Sequence, residues 1–203
     1  MKKLFISFSF VFILIFAGCK DTPTQPLDTS VIWPLNKGNY WKYKTYNYDY
    51  NGKNTDTMIF HKLVTSDTII NGYSLKNIKG QIENSIYGHY NQQLKCNEQG
   101  IWYFTNDSLF LWNKFPINKN EFFIRKWWDT VFVISIDEKV IVPAGTFYCY
   151  VYKNIYNSLN LQYIIFDYFA PGIGPIKSEI YQKYLTQNEY LYKSLELISF
   201  KLF

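Results

Sequence analysis

The sequence predicts a mainly β protein: an antiparallel, strongly curved sheet, arranged as a half-barrel or a sandwich, after an N-terminal signal helix. Three observations predict it. Beyond the first thirty residues no stretch carries a convincing helical period, whereas apolar and polar residues alternate in segment after segment. Those segments are rich in Tyr, Phe, Ile, Val and Thr, and aromatic residues make up 21% of the chain, which suits pleated surfaces and wide curved interiors. Turn signals separate the segments at a spacing that gives roughly nine to twelve strands.

The elements follow in order. Residues 40–50 form a strand with Trp41, Tyr43 and Thr45 on one face. Asn51-Gly52 is a hairpin signal, and residues 57–65 return. Ile69-Ile70 leads into Asn71-Gly72, followed by strands at 73–79 and 85–95. Strands at 101–105 and 109–114 flank Asn106-Asp107-Ser108, a turn composition. A second stretch opens at Phe115. Residues 130–136 alternate cleanly, Asp137-Glu138-Lys139 reads as a turn, and 140–142 stops at Pro143. Strands at 146–156, 161–169, 176–184 and 189–202 complete the chain.

The N-terminus sets the compartment. Lys2 and Lys3 precede an apolar run from Leu4 to Phe16, too short for a comfortable membrane span and right for a signal-peptide core. Phe16-Ala17-Gly18-Cys19 closes it. This resembles the lipobox of bacterial lipoproteins, in which small residues admit the peptidase and the cysteine sulfur takes the lipid. Phe16 stands where Leu is usual. The resemblance implies cleavage after residue 18 and acylation of Cys19, which anchors the chain to a membrane. Removing residues 1–18 from the 203 leaves 185, and loss of Lys2 and Lys3 takes the net charge from +5 to +3. Residues 19–32, polar and Pro-containing, read as a flexible tether. Lys20 is not the Asp that resembles an inner-membrane retention signal, so the outer membrane is favoured, with the periplasmic or surface side open. Residues 33–203 are then a single β domain, with two related halves, 33–114 and 115–203, as an option.

The mild charge carries no clustered basic stripe, so nucleic acid is not an expected partner. Cys96 and Cys149 are the only other cysteines, and an envelope location permits a disulfide between them. Cys149 also sits on the apolar face of a strand, where a free thiol serves as a small hydrophobe.

Two phrases look like turn chemistry. In residues 142–147, Val-Pro-Ala-Gly-Thr-Phe, Pro143 ends one strand and Gly145 eases the start of the next. In residues 168–177, Pro171-Gly172 fits the centre of a type II turn, and Gly174 fits a bulge or a close backbone approach. Together with Pro34-Leu35, Gly38 and Trp41, these phrases resemble a broad group of uncharacterised bacterial lipoproteins. The resemblance implies a curved antiparallel sheet, like the half-barrel of lipoprotein carriers and their acceptors, and it carries no catalytic residue.

The search for chemistry finds no nucleophile elbow, no zinc-binding helix motif and no phosphate loop. His61 and His89 are the only histidines, without ligand-type neighbours at metal spacing. Neither a cofactor nor a metal is expected. Asp129, Asp137, Glu138, Asp167 and Glu179 mostly flank turns and read as solvated. Tyr148, Tyr150 and Tyr152 share one strand face, opposite Phe147, Cys149 and Val151. Trp127 and Trp128 are adjacent, so on a strand they point to opposite faces. These five rings are the candidate ligand surface. The expectation is a non-enzymatic lipoprotein binding an apolar or amphipathic ligand, or an envelope partner, on a curved sheet. The alternative is a carbohydrate-binding or adhesion module using exposed Trp and Tyr. An envelope hydrolase comes third.

Residues 33–41, Trp-Pro-Leu-Asn-Lys-Gly-Asn-Tyr-Trp, and 115–123, Phe-Pro-Ile-Asn-Lys-Asn-Glu-Phe-Phe, share one pattern. Gly38 aligns with Asn120, the two residue types that best tolerate a left-handed backbone. The pattern therefore predicts one strand-opening turn used twice, with positive φ at both positions.

Overall fold

A computed structural model describes residues 29–85, 89–125, 129–184 and 188–203. Within them lie twelve strands and no helix. The first six are β1 (Tyr40–Tyr48), β2 (Asn54–Ile70), β3 (Tyr73–Ile82), β4 (His89–Asn97), β5 (Gly100–Thr105) and β6 (Ser108–Lys114). The rest are β7 (Phe122–Ile124), β8 (Thr130–Val142), β9 (Gly145–Ser158), β10 (Leu161–Ala170), β11 (Gly174–Tyr184) and β12 (Tyr190–Lys201). Consecutive strands pair antiparallel, except that β6 does not pair with β7. The ladder is completed instead by β1 pairing with β12. The result is one sheet, in the order β6-β5-β4-β3-β2-β1-β12-β11-β10-β9-β8-β7, nearly closed into a barrel. The sandwich alternative is set aside. Cys19, Trp127, Trp128 and the signal segment lie outside the described residues.

One expected turn is strand. Asp137, Glu138 and Lys139 continue β8, where the register slips against β9 between Val133 and Glu138. A bulged strand tolerates three charged residues because its kink lets them face solvent, and all three are exposed.

The two aligned phrases build one turn. Gly38 has φ +94° and Asn120 φ +67°. Gly38 N–H donates to Val64 O at 2.9 Å, and Asn120 N–H to Val133 O at 2.8 Å. Asn39 N–H donates to Asn36 O, as Glu121 N–H does to Asn118 O. Val64 N–H returns to Asn39 O, and Val133 N–H to Glu121 O. The inward anchors also match, with Trp33 and Phe115, Leu35 and Ile117, and Trp41 and Phe123 all buried.

The core fills the concave side. Trp41 and Tyr43 of β1 are fully buried, each worth roughly 2–3 kcal/mol of burial. Both are also stapled across the interior: Trp41 Nε1–H donates to Ile173 O at 2.8 Å, and Tyr43 O–H to Pro175 O at 3.0 Å. The turn at Pro171 and Gly172, closed by Ile173 N–H to Ala170 O at 3.0 Å, presents those carbonyls. Gly174 is a true close approach. A Cβ there would lie 2.3 Å from the Trp33 ring, so only glycine lets the indole pack against this strand. Pro143 and Gly145 make the β8–β9 hairpin, with Val142 opposite Gly145.

Arg125 closes the seam that the ladder leaves open between β6 and β7. Its Nε–H donates to Trp112 O at 2.7 Å and its Nη2–H to Asn113 Oδ1 at 2.8 Å. Its guanidinium lies 4.3 Å from the Trp112 ring centroid, and Asp129 is its ion-pair partner at 3.6 Å. Tyr152 O–H adds a bond to Lys114 O at 2.8 Å. Side chains here replace a strand–strand ladder, so the edge groups are satisfied without closing the barrel.

Candidate functional site inside the sheet

Near-closure leaves a cavity of about 340 Å³ enclosed by β2, β4, β5 and β6 on one side and β10, β11 and β12 on the other. Trp33, Leu94, Ile101, Trp112, Phe169 and Leu195 make most of its wall. Two further cavities adjoin it. One of about 400 Å³ shares Leu195 and is lined by Met58, Phe60, Ile82 and Tyr90. The other, about 370 Å³ at the β6–β7 seam, shares Tyr103 and Trp112.

Into this apolar wall the fold inserts a few polar groups. The inward row of β2 runs Met58, Phe60, Lys62, Val64, so Lys62 is a cation where the pattern asks for a hydrophobe. Its Nζ lies 5.0 Å from the Trp33 ring centroid and 5.8 Å from that of Tyr43. Burial lowers its pKa to about 8, partly offset by the charge of Asp167. Asp167 stands on β10 opposite Tyr152 of β9 and Ser178 of β11. Its Oδ1 accepts the Ser178 hydroxyl at 2.8 Å. Burial pushes its carboxyl above the usual range, while the Ser178 bond, Arg125 and Lys62 pull it back. Gln92 of β4 also faces the cavity.

In fold the chain is similar to two solved structures. One, from Bacteroides fragilis NCTC 9343, is described as an exported protein with a YmcC-like fold. It matches with a TM-score of 0.56 over 84% of this chain and 98% of its own, at 16% identity. The other, from Parabacteroides distasonis ATCC 8503, is described as a lipoprotein. It matches with a TM-score of 0.60 over 87% of this chain and all of its own, at 14% identity. At these identities the likeness establishes the shared fold. No family model and no curated protein matches the sequence.

The structure redistributes the residues read from sequence. Tyr148, Tyr150 and Tyr152 do not form one ring surface. Tyr148 is 65% exposed, Tyr150 is half-buried against Phe115, and Tyr152 is buried among Phe123 and Phe169. Tyr150 and Tyr152 stack on each other. Cys96 and Cys149 are free thiols, and the disulfide considered for them is not formed. They belong to β4 and β9, which lie far apart in the strand order. Burial pushes Cys96 up to about 11 and Cys149 up to about 12, the behaviour of inert core thiols. Asp167, read as solvated, stands on the cavity wall and is partly buried. His61 meets the Tyr40 hydroxyl and lies 3.8 Å from Glu83, and no metal-binding cluster occurs among the described residues. Lys62 and Arg125 were not singled out in the sequence. For Lys62 a signal existed: a lone Lys on an otherwise apolar inward row.

Proposed function

We propose that this chain is an envelope lipoprotein, held at the outer membrane through acyl chains on Cys19, whose interior takes an apolar or amphipathic ligand without reacting with it. The residues around Cys19 support the anchor, as does the description of one fold neighbour as a lipoprotein. One observation carries the binding role. The cavity wall holds Lys62, Gln92 and Asp167, and neither Lys62 nor Gln92 has a hydrogen-bond partner among the described residues. Lys62 is only partly buried, yet it stands on an apolar inward row, where a wall serving stability alone would use a hydrophobe. An apolar cavity with a few convergent polar groups is the usual form of a small-molecule site. The packing of Tyr150 and Tyr152 against Phe115, Phe123 and Phe169 favours this reading over a flat glycan-stacking face.

Native mass spectrometry of the protein purified from its host envelope tests the binding role. An apolar molecule is expected to co-purify, and Ile101→Trp, which fills the cavity, to lower its occupancy. Absence of any bound molecule, together with no uptake of a fluorescent acyl probe, would sink the proposal. Labelled palmitate tests the anchor: Cys19→Ala should abolish incorporation, and persistent labelling would overturn it.

A further inference from the structure

The charged groups of the cavity wall differ in how well they are satisfied. Lys177 is held by Glu179 at 2.7 Å. Asp167 holds the Ser178 hydroxyl. At the seam, Arg125 is bonded to Trp112 and Asn113 and paired with Asp129. Lys62 alone has neither an ion pair nor a hydrogen bond; its contacts are the faces of Trp33 and Tyr43. A cation–π contact returns about 0.5–2 kcal/mol, and the partly exposed ammonium is left to solvent for its hydrogen bonds. The ammonium therefore stands in the cavity with all three donors unused by the described residues. Gln92 adds an amide in the same state. The second oxygen of Asp167 accepts no hydrogen bond from the described residues.

We infer that Lys62, with Gln92 beside it, is a head-group site for the anionic oxygens of a single-chain amphiphile, whose chain occupies the adjoining apolar cavities. This rests on the cavity-binding reading above and adds the chemical class of the ligand. An anion supplies what Lys62 lacks, a charged acceptor for its ammonium. A cationic head group would instead meet a like charge. The adjoining cavities continue the wall with Met58, Phe60, Ile82 and Tyr90 on one side and Phe110 and Leu111 on the other. These apolar side chains give a chain room to continue, beside Lys193 in the first cavity and the Arg125–Asp129 pair in the second.

The test is a set of four probes with the same tail: dodecanoate, dodecyl phosphate, dodecanol and dodecylamine, titrated into the full-length acylated protein in detergent. At least one anion should bind about 10–100-fold more tightly than the alcohol, the range expected of one charge-assisted contact. Lys62→Met should bring the anion affinities down to that of dodecanol, and Lys62→Arg should retain the preference. Lys62→Gln serves as a second neutral variant if the Met protein folds poorly. Equal affinity of the wild type for anion and alcohol, or a preference for the amine, would overturn the head-group site and leave the cavity reading intact. Failure of all four probes to bind would overturn both. The ranking of carboxylate against phosphate separates a free fatty acid from a lipid phosphate as the source of the anion.

Discussion

Residues 33–41 and 115–123 make the same turn with the same three backbone hydrogen bonds and the same buried anchors, yet the sheet uses them differently. The first opens β1, a strand with neighbours on both sides. The second opens β7, three residues long and paired only with β8. Asn39 is buried, and its side chain donates to Pro34 O and accepts from Phe203 N–H. Its counterpart Glu121 is exposed, and its side chain accepts only from the nearby Asn118 Nδ2. The backbone device and its inward anchors are thus local, written in nine residues. What the turn is worth depends on where the sheet places it.

Truncating the matched anchors should show that difference most strongly. Trp41→Ala removes a fully buried indole and its bond to Ile173 O. A loss of about 3–5 kcal/mol is expected. Phe123→Ala empties a site on an edge strand with one neighbour, and a smaller loss, by about 1 kcal/mol or more, is expected from the same cavity argument. Urea midpoints of the two variants decide it. An equal or larger loss at Phe123 would mean that the edge is as well supported as the centre.

The two halves of the chain, 33–114 and 115–203, also bring a base and an acid to one cavity wall, Lys62 from the first and Asp167 from the second. Their pH signatures should therefore oppose each other. Lys62 has its folded pKa lowered to about 8 from 10.5. Between those values the unfolded chain binds a proton that the folded chain does not, so stability rises with pH across that window. Below pH 8 both states are charged and the burial cost is at its full, constant value. Asp167 has its folded pKa raised above 3.8. From 3.8 up to its raised value the folded chain holds the extra proton, and its contribution falls as pH rises. Lys62→Met should raise the stability of the ligand-free protein at pH 7 by about 1–3 kcal/mol and remove the alkaline rise. Asp167→Asn should remove the fall on the acid side. Urea midpoints at stepped pH read both, and an alkaline rise that survives in the Met variant would assign it to another group.

Much of this architecture was legible in the sequence, for identifiable reasons. Alternation and turn residues located the strands, because a half-buried strand must alternate and a hairpin must turn. The turn at residues 33–41 was legible twice over, since Gly38 and Asn120 share a backbone need and not a side-chain chemistry. Asp137–Lys139 misled because charge is also a turn signal, and a bulged strand tolerates it. The cavity was hidden for a different reason. Lys62 and Asp167 are 105 residues apart in sequence, and only the near-closure of a twelve-stranded sheet brings their strands to the same void. The row Met58, Phe60, Lys62, Val64 marks Lys62 as a lone cation among apolar residues, but nothing local says which strands it will face. Arg125 was equally silent, because its role exists only where two unpaired edges meet.

The smallest effect separates backbone from surroundings at the turn itself. Gly38→Ala puts a side chain at φ +94°, with its Cβ 3.3 Å from the Phe203 ring. Backbone strain of about 1–2 kcal/mol is expected. The ring contact should add little, because Phe203 is an exposed terminal residue that can shift. Asn120 already occupies the left-handed region at φ +67° in an exposed turn, so Asn120→Gly should change stability by no more than about 0.5 kcal/mol. Asn120→Ala, in contrast, should approach the cost of Gly38→Ala, because both then ask alanine to hold the same left-handed backbone. If Gly38→Ala is costly while Asn120→Ala is neutral, the common hydrogen bonds do not impose a common demand. The contact with Phe203, absent from the second turn, would then be what requires glycine in the first.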